Sequence, residues 1–306
     1  MKLDLLKNFN FVKHYKKLNI LSIIFIIFSI FVLLFKGLNL GVDFKGGTLI
    51  EIRVESSSIS IGEIRQSFLK MNLGDVKVKN FGRKNDYLVK VESLESSDSN
   101  FIKKTNTKLS SDLGIDVNFR RVENVGPKVS KELIKSGLLA ITLSLLAMLI
   151  YIWIRFEWQF SFAAIIAIIH DVIITVGIFS FLSYEINLSI VAAVLTIVGY
   201  SMNDTVVIFD RIRENLKKYT KTPISDISNT STNETLSRTL ITSVTTLLAL
   251  LSIYLFGGAI LKGFSFAMIV GVIVGTYSSI FVATPILNYT NVSSKTVLKE
   301  EDDKVV

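Results

Sequence analysis

Six apolar stretches, each close to the length of a membrane-spanning helix, constrain this chain more than any other feature. They lie at 20–34, 137–154, 160–182, 188–209, 239–256 and 264–287, and the first reaches spanning length when counted as 18–35. A helix needs about 20 apolar residues to cross the hydrocarbon core of a bilayer. Half of the 306 residues are hydrophobic, the mean hydropathy is +0.50 and only three residues are proline, a composition too apolar for an ordinary soluble domain. A polytopic α-helical membrane protein with six transmembrane helices is expected.

The net charge of +8 does not indicate a nucleic-acid partner, because the cations flank the spans rather than forming one soluble patch. Lys2, Lys7, Lys13, Lys16 and Lys17 precede the first span, Arg155 separates the second from the third, and Arg211, Arg213, Lys217, Lys218 and Lys221 follow the fourth. Short loops rich in Lys and Arg stay on the cytoplasmic side, so both termini are expected there and 37–130 outside. The connections SYEIN (183–187) and GGAILKG (257–263) carry one lysine between them, as that orientation requires. The sequence LFKGLNLGVDF lacks a small-x-small cleavage pattern, so an uncleaved anchor is expected. The chain has no cysteine, which excludes disulfides and thiolate metal sites.

These boundaries give a cytoplasmic segment at 1–17, the first transmembrane helix at 18–36, and an extracytoplasmic domain with its connections at 37–130. A five-helix transmembrane region at 131–288 and a cytoplasmic tail at 289–306 complete the chain, the tail ending in the solvated run EEDDKVV. Within the outer segment, alternation in TLIEIRV, DVKVKNFG, DYLVKVES and IDVNFRRVENV predicts strands. SISIGEIRQSFLKMN predicts a helix opened by a serine cap, with Ile61, Ile64 and Phe68 on one face, and NFIKKTNTKLSSDLG a second helix ending at Gly114. The order βαββαβ is that of an α+β ferredoxin-like domain, a fold that hosts many functions.

GVDFKGGT at 41–48 nearly matches a phosphate-binding loop, but Gly47 stands where the lysine should be and a strand rather than a helix follows. Without that ammonium a nucleotide has no anchor, so a glycine turn into the first strand is the preferred reading. The two histidines, His14 and His170, lack the spacing of a metal site, and no cofactor is expected. GVIVG at 271–275 has the spacing that lets two helices approach closely.

The chemistry that remains lies in polar residues inside the spans. A charge near the bilayer centre costs about 2.5–3.5 kcal/mol even on the permissive insertion scale, so it requires a partner, water or a function. Asp171, beside His170, lies near the middle of the third span, and Asn203 and Asp204 lie in the cytoplasmic half of the fourth. Helical spacing places Thr196, Tyr200, Ser201 and Asp204 along one side. Arg238 opens the fifth span, with Thr242, Thr245 and Thr246 continuing its side, at a depth comparable to Asp204. An Asp204–Arg238 pairing is therefore expected. Residue chemistry leaves two uses open: a proton-exchanging carboxylate, or a static ion pair or hydroxyl-satisfied carboxylate that holds the bundle together. For His170–Asp171 a packing or hydrogen-bonding role is expected.

GVDFKGGT, VENVGPKVS, HDV, SMNDTVVIFDRIREN and TLSRTLITS, in that order along nearly the whole chain, resemble the SecF family of the bacterial SecD/SecF protein-export complex. The resemblance implies an accessory translocase subunit of the cytoplasmic membrane, related in its spans to the resistance-nodulation-division transporters and without enzymatic activity. It implies SecD, the SecYEG channel, the translocating preprotein, membrane lipid and protons as partners. It makes Asp204, Arg238 and Asn203 candidate proton-pathway residues, with Ser201, Thr242, Asp171 and His170 as polar support, and places a further pathway carboxylate on SecD. A translocase scaffold and a proton-coupled small-molecule efflux subunit are the alternatives.

Overall fold

The computed structural model describes residues 9–55, 59–82, 84–92, 99–290 and 292–297. Lys2, Lys7 and the tail run EEDDKVV lie outside the described residues. Six helices are long and apolar enough to cross a membrane: Val12–Lys36, Lys128–Arg155, Trp158–Phe181, Leu188–Lys218, Ile224–Phe256 and Ile260–Tyr289. The chain divides into two compact units, one comprising 40–139 with 185–188 and the other the remaining residues.

The membrane unit contains α1 (Val12–Lys36), most of α5 (Pro127–Arg155), α6 (Trp158–Phe181), α7 (Leu188–Lys218), α8 (Ile224–Phe256) and α9 (Gly258–Ser278). A five-residue π-helical turn, Ser279–Ala283, joins α9 to the short α10 (Thr284–Tyr289). α6, α7 and α9 with its continuation bury about half of their apolar windows, whereas α1, α5 and α8 bury far less. On α5, Leu143, Leu146, Ile150, Trp153 and Ile154 are all exposed. Such a surface is stable only against lipid or other helices.

α7 and α8 run well past the apolar stretches read from the sequence because each becomes amphipathic there instead of ending. Ile208, Ile212 and Leu216 continue a buried stripe at helical spacing. Across from them, Arg211 pairs with Glu234 at 2.6 Å, and Asn215 donates to Ser231 at 2.9 Å. Arg155 pairs with Asp210 at 2.9 Å, and the buried Glu157 faces Arg213 at 3.2 Å. Three of the cations expected to mark the membrane border, Arg155, Arg211 and Arg213, are thus tied to acids of neighbouring segments.

Small residues set the tightest helix contacts. A Cβ on Gly177 would lie 2.4 Å from the Ser29 side chain, bringing α6 against α1. On α9, a Cβ on Gly271 would come within 2.2 Å of Ile197, and one on Gly275 within 2.9 Å of Ser201. The GVIVG stripe is therefore the surface on which α9 meets α7, as small-xxx-small spacing allows.

The α+β unit contains a helical turn α2 (Val42–Lys45), β1 (Gly47–Val54), α3 (Ile61–Leu69), β2 (Val76–Asn80), β3 (Asp86–Val91), α4 (Ser99–Leu113) and β4 (Val117–Val125). Its four strands form an antiparallel sheet in the order β2-β3-β1-β4, with Ile50 opposite Val89 and Val122. A bulge between Glu51 and Ile52 leaves Arg120 as the extra residue on β4. Ile50, Ile52, Val54, Val89 and Val91 pack with Ile64 and Phe68 of α3 and Leu109 of α4. Ser67 of α3 donates to Asp112 of α4 at 2.8 Å. Ile61, expected on the buried face of α3, is exposed, and Ser67 takes a buried place beside Phe68. Arg53 and Asp86, cross-strand partners, form a two-pronged pair at 2.6 and 2.7 Å.

GVDFKGGT forms the turn into β1. Gly47 has φ +114°, and a Cβ there would lie 2.6 Å from the Val91 carbonyl, so another residue would strain both the backbone and the β1–β3 pairing. Gly41 donates to the Ile186 carbonyl at 2.8 Å, and Asp43 accepts the Leu188 N–H at 2.9 Å, so this segment grips the connection that leads into α7.

α3 opens on a complete capping box, in which Ser60 Oγ accepts the Glu63 N–H and Glu63 Oε2 accepts the Ser60 N–H. The Ser60 N–H and hydroxyl, both donating to Oε2, hold the Glu63 carboxyl below its ordinary range. Its contribution is therefore complete above the unfolded value of 4.5 and is lost as pH falls through the folded value. Ser60→Ala is expected to lower the stability of the α+β unit by about 1 kcal/mol, read as earlier hydrogen-exchange opening of β1–β4 within the full chain.

Candidate functional site

Three buried helices bring two carboxylates to opposite sides of one close contact. Asp171 of α6 and Asp204 of α7 are each 1% exposed, and the α7–α9 approach at Ser201 and Gly275 is linked to both by hydroxyls. Ser201, Asp204, Thr205 and Ile208 share the buried side of α7 because steps of three and four residues return to one helix face.

The two carboxylates are held very differently. Asp171 Oδ2 accepts from Ser201 Oγ at 2.5 Å and from Ser278 Oγ at 2.8 Å, and Oδ1 lies 2.8 Å from His170 Nδ1. Asp204 Oδ2 has two long hydroxyl contacts, Thr276 Oγ1 at 3.4 Å and Ser243 Oγ at 3.5 Å. Those hydroxyls bond each other at 2.7 Å, and Tyr200 donates to Ser243 at 3.4 Å. At 3.4–3.5 Å a hydroxyl contributes little to holding a charge. Asp171 is therefore tightly held, and Asp204 loosely.

The expected Asp204–Arg238 pairing is not formed: among the described residues no ion pair joins them. Arg238 is exposed and, with Asn203, Asp210, Gly199, Met202 and Tyr151, lines a groove of about 420 Å³ on the outer side of α7. The reason is helical phase. Asn203 precedes Asp204 by one residue and so points about 100° away, toward the groove rather than the bundle interior. Thr242 also misses the site, since its hydroxyl donates to the Arg238 carbonyl on its own helix at 2.9 Å, and the next residue, Ser243, faces Asp204. Thr196 likewise turns back to Ala192, and Thr245 to Ile241. His170, Asp171 and Ser201 do converge, in one hydrogen-bonded cluster.

Sequence reasoning missed Ser243, Thr276, Ser278 and Ser279. Ser279 Oγ lies 2.8 Å from Thr205 Oγ1 and also donates to the Ser201 carbonyl at 3.3 Å. The available signal was TYSS at 276–279, four hydroxyls in four consecutive residues of an otherwise apolar run. The π-helical turn begins at Ser279, and Thr284 donates to the Ser279 carbonyl at 2.8 Å. Such turns interrupt α-helices most often at functional sites.

These features define a class: a multi-pass membrane protein with carboxylates and hydroxyls inside its helix bundle and an α+β unit between its first two spans. Residues 105–293 match the family described as "Protein export membrane protein SecD/SecF, C-terminal", and residues 31–58, which include GVDFKGGT, match the SecD/SecF GG motif. The chain is 46% identical over 252 residues to a protein translocase subunit SecF of Rickettsia rickettsii, covering 81% of each. It is 44% identical over 279 residues to that of Vibrio alginolyticus, covering 91% of this chain and 88% of the relative. The crystal structure of SecDF, a translocon-associated membrane protein from Thermus thermophilus, superposes with a TM-score of 0.85 at 33% identity over 95% of this chain. This chain corresponds to 40% of that longer one. The chain belongs to the SecD/SecF family of protein-export membrane proteins.

Proposed function

We propose that the chain is an accessory subunit of the Sec protein translocase that, together with SecD, uses the proton-motive force to promote preprotein export across the bacterial cytoplasmic membrane. The observation that carries this reading is the state of Asp204: a buried carboxylate in a span, with two long hydroxyl contacts and, among the described residues, no ion pair. A carboxylate so placed is stable when protonated and becomes ionised only if its surroundings rearrange. Protonation and helix arrangement are thereby linked, which is the requirement for a proton to shift a conformational equilibrium. Arg238 and Asn203, in the groove outside α7, are positioned to meet a further carboxylate carried by SecD.

In this reading both termini are cytoplasmic and 37–130 is extracytoplasmic, supported by the distribution of Lys and Arg beside the short loops. The outer unit is read as ferredoxin-like, supported by its element order and by the strand order β2-β3-β1-β4. Its substrate is the emerging preprotein at the SecYEG channel.

The test is export of a preprotein into membrane vesicles depleted of this chain and then resupplied with it, with and without a proton gradient. Restoration of the gradient-stimulated component supports the reading. Equal restoration in the absence of any gradient would leave a scaffold, for which the tight Asp171 cluster across three helices is the favouring observation.

A further inference from the structure

We propose that the His170–Asp171 pair is a second proton-binding station of the bundle, with His170 Nε2 as the atom that gains and loses the proton. This rests on the proton-coupled reading and extends it to a second group.

The hydrogen bonds define what each atom can do. Three polar groups converge on Asp171: the Ser201 and Ser278 hydroxyls donate to Oδ2, and His170 Nδ1 lies 2.8 Å from Oδ1. With Asp171 as a carboxylate, which can only accept, the 2.8 Å contact requires the proton on Nδ1. The remaining ring position, Nε2, is buried and has no hydrogen-bond partner among the described residues, while the ring stacks on Tyr277 with centroids 6.1 Å apart.

Neither protonation state is complete. With Nε2 unprotonated, the pair carries one net negative charge inside the bundle, and among the described residues no cation is paired with it. With Nε2 protonated, one N–H bond has formed, the net charge is zero, and the new donor lacks an acceptor. Each state meets one need and fails another, so the pair is not locked in either. A histidine that served only as a staple would be expected to have both nitrogens satisfied.

The groups facing the pair do not supply the missing charge. From α9 the titratable neighbour is Tyr277, whose hydroxyl is engaged with Ser22 and with the Leu18 carbonyl. On α1, Lys13, Lys16 and Lys17 sit in the opening turns, and among the described residues none is paired with His170 or Asp171. From α7 the contact is Ser201, and Asp204 engages Ser243 and Thr276 instead. α10 and the π-helical turn contribute no charged side chain. The link to Asp204 runs along α7: Ser201 binds Asp171 and lies one helical turn before Asp204. A change of charge at the pair therefore acts on the turn that carries the other carboxylate.

The chain has two histidines, so His14→Gln leaves His170 as its only imidazole. The test is solid-state NMR of this full-length chain, labelled with 15N in its histidine ring and reconstituted in lipid with unlabelled SecD, across a pH series. The expected result is Nδ1 protonated throughout and Nε2 passing from unprotonated to protonated as pH falls. In Asp171→Asn that transition should move by at least about tenfold in proton concentration, because the partner charge is gone. A ring that keeps one state over the whole pH range in which the complex stays folded overturns the inference. The unsubstituted ring is read directly, so poor folding of Asp171→Asn does not affect that outcome. If Asp204→Asn abolishes gradient-stimulated export while the His170 ring stays static, only the second station fails. If Asp204→Asn exports normally under a gradient, the proton-coupled reading itself fails, and a titrating ring does not rescue it.

Discussion

Asp204→Asn is expected to remove the gradient-stimulated part of preprotein export while leaving the abundance of the chain and its assembly with SecD unchanged. Asparagine has the size of aspartate and can still accept from Thr276 and Ser243, now at 3.4 and 3.5 Å from Oδ2, so packing is preserved. It cannot ionise, so the step that distinguishes the two arrangements is lost. One proton descending about 100 mV supplies about 2.3 kcal/mol, enough to shift a two-state equilibrium by roughly 50-fold. Stimulated export should therefore fall to the level seen without a gradient. Export in energised vesicles, normalised to the amount of chain present, measures this. Undiminished stimulation would remove Asp204 from the proton route.

Much of this architecture was legible because bilayer thickness leaves few choices. An apolar run of about 20 residues in lipid must satisfy its own backbone, and only a helix does so within one segment. The ends were less legible: α7 reaches Lys218 and α8 begins at Ile224 because polar, ion-paired turns continue each helix beyond its apolar part. Within the site, residue type was easier to read than direction. Asp204 announced itself as a carboxylate in an apolar helix. Whether Thr242 or Ser243 would face it depended on helix rotation, where one residue is about 100°. Arg238 was expected inward on depth alone, and depth does not specify azimuth. Ser278 and Ser279 were passed over because a hydroxyl that bonds its own helix, as both do at the Gly275 carbonyl, barely disturbs an apolar run. His170 and Asp171 are adjacent, and side chains at that spacing do not normally face each other on a helix, so their bond required coordinates to be seen.

The contact between α7 and α9 yields the second large effect. A Cβ on Gly271 would lie 2.2, 2.4 and 2.7 Å from three carbons of Ile197, a buried, β-branched side chain with little freedom to turn aside. Gly271→Ala is therefore expected to push the helices apart and to cost about 1–3 kcal/mol, the usual range for overpacking. The defect should appear as a lower thermal unfolding midpoint of the full chain in lipid nanodiscs. Separation of the helices would also draw Thr276 and Ser278 away from Asp204 and Asp171, so export falls together with stability. Asp204→Asn should leave that midpoint in place, which distinguishes loss of packing from loss of a proton. Combining Gly271→Ala with Ile197→Ala vacates the volume that the new methyl requires, and the double substitution should be more stable than the sum of the two single changes predicts. Strict additivity would mean that Gly271 and Ile197 do not touch, and the close approach of α7 and α9 would have to be abandoned.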